Sequence, residues 1–165
     1  MAVMTTAKKL MDQGTYLGYF EIKEFTNPRG KTYNRLEFTA ELVRKDYIAM
    51  GDIVYGMYVN GILHKIGKAG GALGWSTRYN TYQKEPTIEP SSRRIIEKMD
   101  EMNYDTDSKI EVFAISVPKV QSSYFCPLTK ETIDIEVSRN GEVETYLTQV
   151  TEAESEDLCF CYQKK

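Results

Sequence analysis

Val54-Tyr55-Gly56-Met57-Tyr58-Val59-Asn60-Gly61-Ile62-Leu63-His64-Lys65-Ile66-Gly67 carries the strongest structural signal in the chain. Two runs of β-branched and aromatic residues flank Asn60-Gly61, a pair that tolerates the positive φ angles of a tight hairpin turn. How that turn is made decides which side chains share a face. A two-residue turn at Asn60-Gly61 places Tyr55 opposite Ile66. Because side chains alternate along a strand, Tyr55 and Lys65 then point to opposite faces. A three-residue loop, Val59-Asn60-Gly61, with Gly61 left-handed in a G1 bulge, places Tyr55 opposite Lys65 on one face. The bulged loop is the predicted form. Lys65 is informative in itself, because lysine is depleted in strands and rarely buried.

Outward from the hairpin, Lys68-Ala69-Gly70-Gly71-Ala72-Leu73-Gly74 reads as a flexible connection. Ser76 is placed to cap a short helix carrying Arg78, Tyr79 and Tyr82. A second helix is predicted from Ser91 or Ser92 to Met102, with Ile95, Ile96, Met99 and Met102 on one face. Lys109 to Val117 alternates as a half-buried strand, and Tyr124 to Val137 reads as an irregular hairpin turning near Leu128-Thr129-Lys130. Val143, Tyr146, Leu147 and Val150 fall at helical spacing and predict a late helix capped by Ser138 or Asn140, although Asn140-Gly141 is also compatible with a hairpin. Before residue 50, the pattern predicts a helix over Thr5–Gln13 stopped by Gly14, then strands over Tyr16–Phe25 and Tyr33–Leu42. Asn27-Pro28-Arg29-Gly30 turns between them, giving a hairpin with Arg29 and Lys31 at a basic tip. The division is an N-terminal helix and hairpin extension over 1–50, a core over 51–150, and an acidic, solvated tail over 151–165.

Composition narrows the function classes. The chain has 165 residues, 41% hydrophobic and 27% charged, which is ordinary for one globular domain. No apolar run reaches the length of a membrane span, no secretory leader is read at the N-terminus, and a cytoplasmic location is expected. Cys126, Cys159 and Cys161 form no CxxC pair and are read as reduced thiols. A net charge of −3 counts against indiscriminate coating of nucleic acid but permits a local basic cleft. The single histidine, His64, argues against His-rich zinc sites and HNH-type nucleases. A Ser-His-Asp triad would have to use it, and no G-x-S-x-G elbow is present. His64 itself alternates away from Lys65 and is read as structural or exposed.

The hairpin, the Lys65-Ile66-Gly67 tripeptide, Arg78 four residues before Tyr82, a second helix, a strand and a glutamate on a late helix follow an order that resembles the GIY-YIG nucleases. The first motif would be Ile53-Val54-Tyr55. The second would be Lys65-Ile66-Gly67, with lysine where the family usually has tyrosine. It is similar in this to one branch, which includes a compact restriction endonuclease and a phage-encoded group of DNA-binding domains. The resemblance covers about residues 52–150. It implies an α+β fold: a small, mostly antiparallel sheet flanked by helices, here extended by the N-terminal β-hairpin.

The resemblance also implies roles, each with a chemical reason. A phenol has an ordinary pKa near 10 and is a poor base at neutral pH. An ammonium beside it favours the phenolate, so Lys65 would assist Tyr55 as general base. Arg78 would hold the scissile phosphate through its planar fork. A carboxylate would hold Mg²⁺ or Mn²⁺, hard cations that take oxygen ligands. Glu144 is the expected metal ligand, and Glu142 the reserve. Lys68, Arg29 and Lys31 are candidate DNA contacts, each equally readable as a solvated surface cation, and Arg93 is a further candidate in a helical charge run of the kind that is usually just the wet face. Tyr58, too close to Lys65 for the family spacing, is read as core. The expected function is a divalent-metal-dependent DNA endonuclease, acting as a homodimer if it cuts both strands. A non-cleaving DNA-binding module on the same fold is the main alternative. Glu21-Ile22-Lys23 prompts a PD-(D/E)xK nuclease, but no well-placed aspartate precedes it. A protein-interaction domain is the remaining one.

Overall fold

The structure is a computed structural model that describes residues 3–161. Helix α1 (Thr6–Gln13) starts where Thr5 accepts a hydrogen bond from the Lys8 amide and stops at Gly14. Strands β1 (Thr15–Thr26) and β2 (Thr32–Ala40) form the basic-tipped hairpin. A short helix α2 (Arg44–Met50), not expected from the sequence, leads into β3 (Ile53–Val59) and β4 (Ile62–Ala69). Then come α3 (Trp75–Tyr82), α4 (Pro90–Glu101) and β5 (Ile110–Ser116). A separate ribbon of β6 (Val120–Cys126) and β7 (Glu131–Val137) precedes α5 (Asn140–Ala153).

Five strands make one sheet in the order β2-β1-β5-β3-β4, with every neighbouring pair antiparallel. The N-terminal hairpin is part of this sheet: β1 pairs with β5, and Leu17, Phe20 and Leu36 enter the same core as Tyr55 and Met57. The sheet buries both faces. Tyr55, Met57 and Val59 point towards α3 and α4, where Trp75, Tyr82, Ile95 and Met99 meet them. Val54, Tyr58 and Leu63 point the other way, against α1 and the Val143 and Leu147 side of α5. The class is therefore α+β, a small antiparallel sheet flanked by helices, as the sequence predicts.

The caps differ from the predicted ones. Gly74, not Ser76, precedes α3, and the Ser76 hydroxyl is buried with no hydrogen-bond partner among the described residues. Glu89 caps α4 by accepting from the Ser91 amide. At α5 neither predicted residue caps the helix. Ser138 donates to the Asp52 carboxylate at 2.6 Å, and the Asn140 amide donates to the Ala69 carbonyl at 3.1 Å. Both residues instead pin the start of α5 to β3 and β4. Residues 154–161, after α5, fold back onto the body rather than running free in solvent, while the last four residues of the expected tail lie outside the described residues. Glu154 accepts from the Thr6 amide and hydroxyl, and Leu158 and Phe160 are buried.

Four buried phenols, Tyr47, Tyr55, Tyr58 and Tyr82, are all held above the ordinary tyrosine pKa, mainly because burial penalises the phenolate. A phenol whose folded-state pKa exceeds its unfolded value adds stability below the unfolded pKa, near 10, and that contribution is lost as pH rises further. Titration followed by phenolate absorbance and circular dichroism is therefore expected to show the exposed tyrosines ionising first. Beyond a small phenolate fraction, the buried four ionise only as the fold is lost. Ionisation of all twelve tyrosines with the dichroism intact would contradict this.

Candidate active site

The β3–β4 turn is tighter than predicted. Asn60 and Gly61 both have positive φ, 52° and 77°, and Val59 pairs with Ile62, so the loop has two residues and not three. On its own this would put Tyr55 and Lys65 on opposite faces. The correction comes further along β4. Met57 pairs with Lys65 and Tyr58 with Leu63, which leaves His64 as the extra residue of a bulge. Beyond the bulge, Tyr55 pairs with Gly67, so Tyr55 and Lys65 share a face as diagonal neighbours.

His64 is buried, which accounts for the bulge. Its Nε2 meets the Tyr104 hydroxyl at 2.9 Å, its ring lies 5.0 Å from that of Phe160, and its carbonyl accepts from the Phe160 amide. Burial holds its pKa below the ordinary value, so it is neutral and structural. The bulge is thus fastened by residues distant in sequence.

Tyr55 is fully buried and lies across Gly67. A Cβ on Gly67 would come within 2.4 Å of the Tyr55 Cζ and 2.5 Å of its Oη. Trp75 forms the other wall, edge-on to the Tyr55 ring at 4.8 Å, which gives this tryptophan a role the sequence does not suggest. The Tyr55 and Tyr82 hydroxyls are 2.7 Å apart. Arg78 donates from Nε to Tyr55 Oη at 3.3 Å and from Nη2 to Tyr82 Oη at 3.2 Å. In the sequence, Tyr82 is visible only as the residue four beyond Arg78, a spacing that puts both on one helix face.

The electrostatics depart from the simple expectation for Tyr55. Arg78 and Lys65 both pull its pKa down, but burial, followed by the neighbouring Tyr82, pushes it up by more. In the free protein Tyr55 is a neutral phenol, and Lys65 alone does not make it a phenolate. Tyr82 is also raised by burial, against the pull of Arg78.

Glu144 lies on the other side of the sheet, on α5. β4 is an edge strand, so the two sides meet at its free edge. A groove of about 440 Å³ there is lined by Lys65, Ile66, Glu144, Thr145, Thr148, Gln149 and Cys161. A neighbouring depression brings Arg78 together with Lys68, Gly70 and Thr77. A third joins Lys68 to Ser138, Gly141 and Glu142. Lys65 is therefore grouped with Glu144, while Arg78 and Glu142 are each grouped with Lys68. Arg29 and Lys31 sit elsewhere, in the hairpin that forms the opposite edge of the sheet, where Lys31 pairs with Glu85. Arg93 is exposed on α4.

No group of three or more His, Cys, Asp or Glu side chains is placed to enclose a metal among the described residues. A single carboxylate beside an open groove still fits Mg²⁺, which usually keeps several waters and takes one or two carboxylates plus substrate phosphate. No helix among the described residues is long and apolar enough to cross a membrane.

No family model and no curated protein matches the chain. Among solved structures, it is similar to a mutant form of bacteriophage T4 EndoII. Identity is 17% over 88% of this chain and 95% of that one, with a TM-score of 0.46. It is also similar to restriction endonuclease HPY188I in complex with product DNA, at 14% identity over 99% of this chain and 94% of that one, with a TM-score of 0.42. Both TM-scores lie below 0.5, so these likenesses assign no function to the chain.

Proposed function

We propose that the chain is a DNA endonuclease whose reaction centre lies along the free edge of β4. The observation that carries this reading is the buried Tyr55–Arg78–Tyr82 hydrogen-bonded cluster, with Lys65 on the same face as Tyr55 and Glu144 sharing a groove with Lys65. Two buried phenols ordered by a guanidinium, with Lys65 and Lys68 nearby, suit a phosphodiester better than a neutral substrate. Two of the five Arg78 N–H groups engage the tyrosines, which orients the guanidinium and leaves the others for a phosphate oxygen. Lys65 and Lys68 add positive charge where the phosphate would lie. Glu144 would hold Mg²⁺, which when bound supplies charge neutralisation at the phosphate. Water attacks phosphorus, its proton passes to the ionised Tyr55 oxygen, and the bond from phosphorus to the leaving oxygen breaks.

The raised Tyr55 pKa gives a pH signature. Only the phenolate accepts the proton, and its fraction rises tenfold per pH unit below the pKa. The single-turnover rate is expected to climb about tenfold per unit between about pH 7 and pH 9, without levelling off. A plateau at neutral pH would assign the base to another group.

The direct test of the metal assignment is plasmid cleavage in Mg²⁺ by the wild type, Glu144→Gln and Glu142→Gln. Glu144→Gln is expected to lose at least about 100-fold in rate, since removing one charged partner of a developing charge has that scale. Glu142→Gln is expected to retain activity. The reverse order would move the ligand to Glu142. Two observations favour the second reading, a DNA-binding module without cleavage: burial holds the Tyr55 pKa above the ordinary value, and Glu144, on α5, lies on the other side of the sheet from it. That reading predicts DNA binding by the wild type with no product at any pH.

A further inference from the structure

His64, turned inward at the β4 bulge, meets two sulfurs from distant parts of the chain. Met102 ends α4, and Cys159 lies in the segment that folds back after α5. Cys159 Sγ is 3.4 Å from His64 Nδ1 and 3.4 Å from Met102 Sδ. His64 is buried and Cys159 half-buried, while Met102 is 39% exposed, so solvent reaches the cluster at the methionine. Cys159 packs against the core on the Tyr55 side of the sheet. Cys161 belongs to the other side, with its Sγ towards the Ile66 carbonyl at 3.9 Å. The two cysteines therefore face different surroundings despite their spacing.

We propose that Cys159, His64 and Met102 form a binding site for a soft, thiophilic cation, Cu(I). The donor set selects the ion. Thiolate and thioether are soft ligands that favour Cu(I), and imidazole suits copper as well. Mg²⁺ takes oxygen ligands and does not compete for these atoms. Donors around one such ion stand about 3.5–4 Å apart, at metal–sulfur and metal–nitrogen bonds of about 2.0–2.3 Å. The two contacts at Cys159 Sγ need to widen by only a few tenths of an ångström to admit it. His64 already has the outer hydrogen bond that orients a ligating imidazole, since its Nε2 lies 2.9 Å from the Tyr104 hydroxyl. The Asp157 carbonyl also accepts from this ring. It holds the Cys159 amide at 2.9 Å as well, so ligation through Nδ1 does not leave it unpaired. As the bond from Sγ to copper forms, the thiol proton passes to solvent, and no electron is transferred. The bound ion would tie the end of α4 and the returning C-terminal segment to β4, at the bulge that sets the face of Lys65.

Anaerobic titration of the full chain with Cu(I), supplied as its acetonitrile complex against a chromophoric Cu(I) chelator, tests this. The wild type is expected to hold one Cu(I) per chain tightly. It is expected to melt about 5–10 °C higher when the free ion exceeds the dissociation constant about 100-fold. Met102→Leu keeps the volume and Tyr104→Phe keeps the ring. Each is expected to weaken binding by about 10–100-fold with unchanged circular dichroism. Cys159→Ser is expected to lose the tight site, whereas Cys126→Ser and Cys161→Ser bind as the wild type. Undiminished binding by Met102→Leu or by Tyr104→Phe reduces the site to a thiol and overturns the proposal. A tight site retained in Cys159→Ser overturns it by placing the ion on another cysteine. Displacement of Cu(I) by equimolar Zn²⁺, or no tight binding by the wild type, overturns it as well. No DNA enters the measurement, so its outcome is independent of the nuclease reading.

Discussion

Gly67→Ala is expected to fold, to lose about 2 kcal/mol of stability, and to lose about 100-fold in DNA cleavage. The added methyl would start 2.4 Å from the Tyr55 Cζ, a separation that real side chains do not adopt, so ring or strand must move. The ring has little room. Trp75 stands against its other side, and Tyr82 and Arg78 hold its hydroxyl. Overpacking a filled core costs about 1–3 kcal/mol, and for a chain of this length about 2 kcal/mol lowers the melting temperature by about 4–8 °C. The larger effect falls on the chemistry, because a displacement near 1 Å at a reacting group costs about 100-fold. In a Tyr55→Phe background, Gly67→Ala should cost little further activity, since both act through one hydroxyl. Thermal melts and single-turnover rates of the single and double variants measure this. Additive activity losses would separate Gly67 from Tyr55.

Arg78→Lys is expected to reduce cleavage by about 1,000-fold while binding DNA nearly as well as the wild type. Lysine keeps the charge but not the fork that orders both phenols. The Tyr55 and Tyr82 hydroxyls, 2.7 Å apart and buried, would lose the two donors that now satisfy them. Loss of a guanidinium that stabilises a transferring phosphate has this scale. The comparison is a cleavage rate beside a binding isotherm. Matched losses in the two would make Arg78 a simple phosphate contact.

The sequence reached the architecture through local signals. Asn60-Gly61 marks the hairpin, Arg78 and Tyr82 share a helix face, and Val143, Tyr146 and Leu147 repeat at the helical period of α5. It failed where distant residues decide the geometry. The predicted G1 bulge is absent, and the correction of the Tyr55–Lys65 face comes from a bulge at His64 held by Tyr104 and Phe160, which no local pattern announces. The basicity of Tyr55 failed for a similar reason. A neighbouring lysine is legible in the alternation of a strand, but complete burial against Trp75 and Tyr82 is a property of the assembled core. Helix α2 escaped because it is seven residues long and has no side-chain cap. Its hold on the fold is tertiary, through the Tyr47 hydroxyl donating to the Leu17 carbonyl.

The measurement closest to the central claim is conversion of supercoiled plasmid by wild type and Tyr55→Phe, in Mg²⁺ and in chelator. Tyr55→Phe removes one oxygen and leaves the ring packed between Gly67 and Trp75. The account predicts nicked or linear DNA from the wild type in Mg²⁺ only. It predicts a rate at least about 1,000-fold lower from a Tyr55→Phe protein that melts within a few degrees of the wild type. Undiminished cleavage by Tyr55→Phe, or no DNA product from the wild type at any pH, would contradict it.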